Sequence, residues 1–204
     1  IEEPQKDKSL RGSRDGFVET LIFNTAMLRR RIRCEELRME YYQIGERSKV
    51  DVAICYIDGL VEEKHLKALR KRLKEIKING ISMTQQAFCE ALIPSSFFNP
   101  YPKFKFTERP DFASACVLDG KVVMIMDNAP AVMVLPNSFA DFFRDVDDYY
   151  FMPIVGTYTR LIRVIVSILT VIAVPFYLLV CNEPQYCPEF LKFMLPDKTG
   201  AMSI

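Results

Sequence analysis

The sequence has little of what metal sites, nucleic-acid surfaces and common catalytic centres require. It contains one histidine, His65, which stands among lysines on a polar helix face and argues against a zinc site. The net charge is +1, which argues against nucleic acid as the main partner because phosphate binding needs surplus clustered Lys and Arg. No GxGxxG, Walker loop, GxSxG or HExxH pattern occurs, so catalysis has no positive support. We therefore expect no enzyme activity, no catalytic residue, no cofactor and no metal.

The cysteines also lack the spacing of a known motif. The sequence has 6 of them, and no two stand at CxxC spacing. Most fall inside predicted apolar strands or helices, which is typical of reduced, cytosolic cysteines rather than of a disulfide framework. The N-terminus is polar, so no signal peptide is expected, and Ile stands at both ends, so we expect a fragment of a longer protein.

One long apolar run organises the chain. Val164 to Cys181 carries no charged residue, and a run of this length predicts a transmembrane helix. Arg160 and Arg163 precede it, whereas Glu183 and later Lys192 follow. By the positive-inside rule this bias places the preceding domain in the cytoplasm. We interpret the two arginines as membrane-interface anchors rather than as gating charges.

The residues before this run predict a mixed α/β (α+β) domain in two small cytoplasmic lobes. Residues 1–92 form the first lobe and residues 93–152 the second, because prolines between Ile93 and Pro110 forbid a long helix and indicate a connector. Residues 153–182 form the first transmembrane helix, and residues 183–204 form a truncated extramembrane or interfacial segment.

Periodicity and turn residues place the elements within the two lobes. The predicted elements are a helix at 16–32 capped by Asp15, strands at 37–44 and 50–57, helices at 61–76, 84–92 and 110–118, a hairpin of strands at 121–126 and 131–135, and a helix after Ser138 that buries Phe139, Phe142 and Phe143. The second strand is apolar on both faces and should lie centrally in a sheet.

Three charged groups have both a structural and a functional interpretation. Glu108, Arg109 and Asp111 are either a helix start with a structural ion pair, or contacts to a ligand in a cleft between the lobes. The basic run that begins at Arg29 either suits the dipole of a helix C-terminus, or contacts an anionic membrane surface or an acidic partner subunit. The cluster of Asp145, Asp147 and Asp148 is either a solvated linker or an attractor of cations near the membrane.

Several phrases in this order resemble the A-subunit family of bacterial spore germinant receptors, the GerA family. They are Arg11-Gly12-Ser13-Arg14-Asp15-Gly16-Phe17, Asn24 with Leu28-Arg29-Arg30-Arg31, Gly45-Glu46-Arg47-Ser48-Lys49, Thr107-Glu108-Arg109-Pro110-Asp111, and Asp141-Phe142-Phe143 with Asp147-Asp148-Tyr149-Tyr150. The tail from Pro188 to Phe193, with Pro196 and Gly200, resembles the stage V sporulation AF branch of that family more than the nutrient-receptor branch.

The resemblance implies a membrane subunit of a spore germination complex in the inner spore membrane. Such a subunit would have a cytoplasmic two-lobed N-terminal domain and several membrane helices, of which this chain holds the first. It would assemble with a transporter-like B-type subunit, and in receptors with a lipoprotein C-type subunit. It would also form homo-oligomers that release cations and so trigger or amplify germination. The family supplies no catalytic residues.

A second hypothesis is a small-molecule binding module that holds a germinant between the lobes, near Glu108 and Arg109. A third, a membrane-tethered enzyme, would need a convergent polar site with perturbed titratable groups.

Overall fold

The computed structural model describes residues 13–45, 49–76, 85–93, 102–144, 148 and 150–182. It divides into two compact units, residues 1–150 and residues 151–204. Its elements in chain order are α1 (Leu21–Arg31), β1 (Leu37–Ile44), β2 (Val50–Ile57), α2 (Glu63–Glu75), α3 (Gln85–Leu92), β3 (Lys105–Thr107), α4 (Pro110–Leu118), β4 (Val122–Met126), β5 (Val132–Leu135), a 3₁₀ helix (Phe139–Phe142) and α5 (Pro153–Asn182).

The strands form one antiparallel sheet in the order β1-β2-β4-β5-β3. The pairing of β2 with β4, for example Cys55 opposite Val123, joins the two segments that the sequence assigns to separate lobes. Residues 1–92 and 93–152 therefore contribute to a single sheet, and the predicted boundary falls between elements of the same compact unit. The mixed α+β class is confirmed, and so is the central position predicted for the second strand.

Helices cover both faces of the sheet. On one face, α2 and α3 pack Leu66, Leu69 and Phe88 onto the even-numbered residues of β2. On the other face, α1 and α4 pack residues such as Leu28 and Val117 onto the odd-numbered residues of β2. Because side chains alternate across a strand, a strand buried on both faces must be apolar throughout, which explains the composition of β2.

The start of α1 differs from its prediction. The helix begins at Leu21 rather than at Gly16, and Asp15 does not cap it. Asp15 instead accepts a hydrogen bond from Arg31 Nη2 at 2.6 Å. The backbone N–H of Leu21 donates to Asp127 Oδ1 at 3.0 Å, so the cap comes from the turn between β4 and β5. A side chain so distant along the chain cannot be found from local spacing.

The sequence prediction also missed β3, which pairs with β5 at one edge of the sheet inside the proline-rich segment. Residues 94–101 of that segment lie outside the described residues, as do residues 1–12 and the segment predicted at 183–204.

The predicted cap at Ser138 is confirmed, with Asp141 as its reciprocal partner. It opens a single 3₁₀ turn, however, and Phe139 and Phe142 are 61% and 50% exposed rather than buried. Asp141 is the residue of that turn that faces inward. Asp148 is also buried, contrary to a solvated linker, whereas its predicted companions Asp145 and Asp147 lie outside the described residues.

The second unit contains α5, which includes the predicted apolar run. Pro153–Leu179 is long and apolar enough to cross a membrane, with a mean hydropathy of 2.3 in its most apolar window. None of that window is buried in the structure. Pro175 lies inside the helix.

Candidate functional site

The sequence-predicted residues Arg109 and Asp111 meet at the start of α4. Arg109 occupies the N-cap position, and Pro110 at the first helical position has the fixed φ that a helix start accepts. The guanidinium of Arg109 donates to the Asp111 carboxylate from Nε at 3.1 Å and from Nη2 at 2.7 Å. Both side chains are buried, 2% and 9% exposed respectively. Arg109 and Asp111 therefore form a buried ion pair that is joined by two hydrogen bonds.

Tyr150 completes this cluster from the end of the first unit. Its hydroxyl donates to Asp111 Oδ2, and its ring lies 5.6 Å from the guanidinium carbon of Arg109. Burial acts to raise the pKa of Asp111, but the hydrogen bonds from Arg109 and Tyr150 outweigh it and hold that pKa below the ordinary value. Burial and the Asp111 carboxylate raise the pKa of Tyr150. Asp111 is therefore an anion that binds the side chains of Arg109 and Tyr150 rather than an acid or a base poised near neutrality.

Glu108 lies beside the pair and is also buried. Its backbone carbonyl accepts the N–H of Phe17 at 2.9 Å, which attaches the segment before α1 to the start of α4. None of the three sequence-predicted residues lines the cavity of about 600 Å³ beside α2 or the groove of about 490 Å³ on α1. The three residues therefore lie close together, and their side chains are buried inside the domain.

A cavity of about 600 Å³ lies elsewhere, between α2 and the ends of β4 and β5. Leu69 and Val122 contribute to its apolar lining, and His65, Arg72 and Lys121 bring basic side chains to it. Its size is in the range of small-molecule sites, and an apolar lining with a few polar groups is typical of them.

Two contacts define the polar groups of this cavity. Lys121 Nζ pairs with Asp141 Oδ2 at 2.7 Å. Asn137 donates from Nδ2 to the Pro102 carbonyl at 3.0 Å, while its buried Oδ1 has no hydrogen-bond partner in the structure. A buried acceptor without a donor is costly, so a ligand N–H or O–H would be favoured there. Sequence reasoning missed this site because its residues are far apart along the chain and match no motif.

A second polar network stabilises the α2 side of the sheet. Glu40 on β1 binds Arg70 on α2, and the hydroxyls of Tyr42 and Tyr56 donate to the same carboxylate at 2.6 Å each. The hydrogen bond from Arg70 is the main cause that lowers the pKa of Glu40 to about 2. This network links a helix to an edge strand and lines neither cavity.

Other chemistry is limited in the part of the chain that the structure describes. No group of three or more His, Cys, Asp and Glu side chains there could hold a metal ion. His65 is exposed and pairs with Glu62 at 3.0 Å. Cys34, Cys55 and two further described cysteines are free thiols. Burial raises the pKa of Cys55 to about 12, which leaves it protonated and unreactive at neutral pH.

Arg160 and Arg163 lie in α5, within the stretch that is long and apolar enough to span a membrane. Together with the sheet domain, this helix defines the class of the protein: a mixed α+β domain followed in the chain by a candidate membrane span.

Comparison with known proteins gives the family. The family model described as Bacillus/Clostridium GerA spore germination protein matches residues 1–203, and the chain belongs to this family. The resemblance found in the sequence is thereby confirmed.

Individual relatives include a stage V sporulation protein and a spore germination protein. The chain is 37% identical over 193 residues to stage V sporulation protein AF of Bacillus subtilis (strain 168), covering 95% of this chain and 39% of that protein. It is 36% identical over 177 residues to spore germination protein KA of the same organism, covering 87% of this chain and 32% of that protein. The chain thus spans well under half the length of these relatives.

One solved structure is also similar. It is the N-terminal domain of the A subunit of the Bacillus megaterium spore germinant receptor GerK3, with 35% identity and a TM-score of 0.49. The similarity covers 61% of this chain and 98% of that one.

Proposed function

We propose that this chain is the N-terminal domain and first membrane helix of a non-catalytic A-type subunit that acts in spore germination. The observation that carries the proposal is the family match over residues 1–203, which includes α5. The subunit forms homo-oligomers, assembles with a transporter-like B-type subunit and, in receptors, a lipoprotein C-type subunit, and takes part in cation release that triggers or amplifies germination. We also assign it to the AF branch, on the resemblance of the tail from Pro188 to Phe193 together with the 37% identity to stage V sporulation protein AF.

The proposed location is the inner spore membrane, with the sheet domain in the cytoplasm. Arg160 and Arg163 support this orientation because positive charge at the N-terminal side of a span favours the cytoplasmic side. In this arrangement both arginines anchor the helix at the membrane interface, where long cationic side chains reach the lipid headgroups.

Cation release is tested on the purified protein in liposomes loaded with potassium. We expect oligomers on chemical crosslinking and potassium efflux above that of protein-free liposomes. Liposomes that stay tight while the protein is folded and oligomeric would contradict the channel role.

Orientation is tested with a thiol placed on the domain surface. Leu118 is 56% exposed at the end of α4, so Leu118→Cys should react with a membrane-impermeant maleimide. We expect labelling beyond that of the parent chain in inverted vesicles and not in intact cells. The reverse pattern would contradict a cytoplasmic domain.

The cavity beside α2 favours a second candidate function, the binding of a small molecule such as a germinant. This hypothesis differs from the one based on Glu108, Arg109 and Asp111. Those three residues do not line the cavity, whereas basic side chains and Asn137 Oδ1 do. A carboxylate would pair with Arg72 or Lys121, and an ammonium or hydroxyl group would donate to Asn137 Oδ1.

Calorimetry on the chain in detergent, titrated with candidate amino acids, tests this function. Arg72→Gln should weaken binding, whereas Lys67→Gln should not, because Lys67 lies on α2 outside the cavity and pairs with Glu63. Absence of heat for every candidate with the fold intact would remove the hypothesis, and equal losses in both variants would place binding elsewhere.

A further inference from the structure

The helix α1 buries Leu21 and Leu28 together with two polar residues, and it leaves two large apolar residues exposed. Asn24 and Thr25 are buried at 0% and 5% exposure, whereas Ile22 and Phe23 are 73% and 65% exposed. An ordinary surface helix turns its large apolar residues to the core and its polar residues to the solvent, so the exposure of Ile22 and Phe23 departs from that pattern. The exposed pair therefore needs an explanation beyond the packing of the domain.

The buried side chain of Asn24 ties this face of α1 to the segment before the helix. Asn24 Oδ1 accepts the N–H of Val18 at 2.8 Å, and Asn24 Nδ2 donates to the Val18 carbonyl at 2.5 Å. Thr25 Oγ1 donates to the carbonyl of Ile22 at 2.9 Å. Rotating the helix to bury Ile22 and Phe23 would break the Asn24 clamp and leave its groups unsatisfied, so the exposure of the apolar pair is built into the fold.

Cations continue the same outward face. Arg30 follows Phe23 and Ala26 at helical spacing, and its side chain is 65% exposed, while Arg33 just beyond the helix is also exposed. A groove of about 490 Å³ on this face is lined by Phe23, Ala26 and Arg30 among others. The dipole of the helix accounts for arginines in a last turn but not for the apolar residues beside them.

The position of α1 in the domain adds a second observation. The N–H of Phe17, just before α1, bonds to Glu108 at the start of α4. Tyr150, the last residue of the first unit, bonds to Asp111 in the first turn of the same helix. Tyr150, which stands shortly before the candidate span in the sequence, is therefore held at the same end of α4 as the segment that precedes α1.

We propose that the outward face of α1 docks on an anionic lipid surface, with Ile22 and Phe23 in the headgroup–acyl boundary and Arg30 and Arg33 on lipid phosphates. This rests on the part of the proposed function in which α5 spans a membrane. Exposed apolar side chains next to arginines on one helix face are the combination that binds membrane surfaces, and lipid phosphates complement the guanidinium groups. A chain held at a bilayer by its own helix meets that surface without a separate partner.

The test uses a fluorescent reporter that the sequence lacks. The chain contains no tryptophan, so Phe23→Trp introduces a single one and keeps an aromatic ring at this position. The matched control is Tyr41→Trp, at a residue that is 59% exposed on the edge strand β1. Both full-length variants are reconstituted in vesicles of brominated phosphatidylcholine with and without brominated phosphatidylglycerol.

We expect bromine to quench the tryptophan at position 23 more than the one at position 41, and more when phosphatidylglycerol is present. In the Phe23→Trp background, Arg30→Gln should lower the ratio of docked to undocked protein about fivefold, the loss of one cation near an anionic surface. Arg38→Gln should leave this ratio unchanged because Arg38 lies on β1, outside the face of α1. It is a matched control, since Arg30 and Arg38 have similar exposure and each lies 3.6 Å from an aspartate.

Equal quenching at the two positions would overturn the proposal. Blue-shifted emission at position 23 without quenching by brominated lipid would also overturn it, and that result would assign this face of α1 to a protein partner. Vesicle flotation after alkaline extraction measures membrane insertion separately. Weak quenching in chains that still float overturns the docking alone, whereas chains that do not float overturn the membrane anchoring itself.

Discussion

Replacing Asp111 by Asn tests whether the cluster at the start of α4 is structural. The carboxylate accepts hydrogen bonds from Arg109, Tyr150 and the backbone N–H of Phe112, and its side chain is only 9% exposed. Asn keeps one acceptor oxygen but removes a carboxylate charge that is paired with the buried guanidinium. Breaking a buried pair from one side costs about 3–5 kcal/mol, and the retained acceptor favours the lower end of that range.

The measurement is urea unfolding of the chain in detergent, followed by near-ultraviolet circular dichroism of the tyrosines. We expect Asp111→Asn to lower the free energy of unfolding by about 3 kcal/mol. The control is Asp119→Asn, because Asp119 is 46% exposed and lies 3.6 Å from Arg144, so its loss should cost less than about 1 kcal/mol.

A double variant isolates the interaction. In an Arg109→Met background the guanidinium is absent, so Asp111→Asn should cost about 1–3 kcal/mol less than it does in the parent chain.

The pH dependence of the stability has a defined sign. Because the folded-state pKa of Asp111 is below its ordinary 3.8, the stabilisation is present above that pH and is lost as the pH falls further, in the parent chain but not in Asp111→Asn.

An unchanged urea midpoint in Asp111→Asn would refute the structural assignment. If the same variant also lost the heat of binding a small molecule, the original ligand-site interpretation of Glu108, Arg109 and Asp111 would replace it.

Two further predictions concern the sheet and its turns. Glu40→Gln should remove about 1–2 kcal/mol above pH 5 after allowance for solvent screening. Because Arg70 lowers the pKa of Glu40 from 4.5 to about 2, the gap in urea midpoint between parent and variant should close as the pH falls through that interval. A constant gap would contradict this assignment. Gly59→Ala, at φ +79° with open space around it, should cost about 1 kcal/mol. Gly120→Ala should cost more, roughly 2–3 kcal/mol, because its Cβ would lie 3.1 Å from the backbone oxygen of Leu60. Equal melting temperatures for the two glycine variants would contradict the steric argument.

Local periodicity and turn residues were enough to predict most of the regular elements. The stripe of Leu66, Leu69 and Leu73 predicted α2 within about two residues at each end, and all three are buried. The hairpin of β4 and β5 followed from two apolar runs around a turn. By contrast, the three-residue strand β3 carries too few residues for alternation to be seen, and it exists because β5 offers an unpaired edge.

The candidate sites were harder to predict than the elements. Charge density drew attention to Glu108, Arg109 and Asp111, but spacing could not show that they face the interior. The cavity beside α2 combines residues from α2, β4 and the segment after β5, so no local pattern signals it. For α1, the arginines were visible in the sequence, whereas the outward direction of Ile22 and Phe23 was not.

The sequence by itself determined the apolar helix α5 and the apolar composition of β2, because both depend on the residue types within one continuous segment. The tertiary structure alone decided that β2 pairs with β4, that Arg109 and Asp111 are buried together, and that α1 turns Phe23 outward. These features depend on contacts between residues far apart in the chain. Their free energy comes from burial and from hydrogen bonds that only the folded arrangement creates.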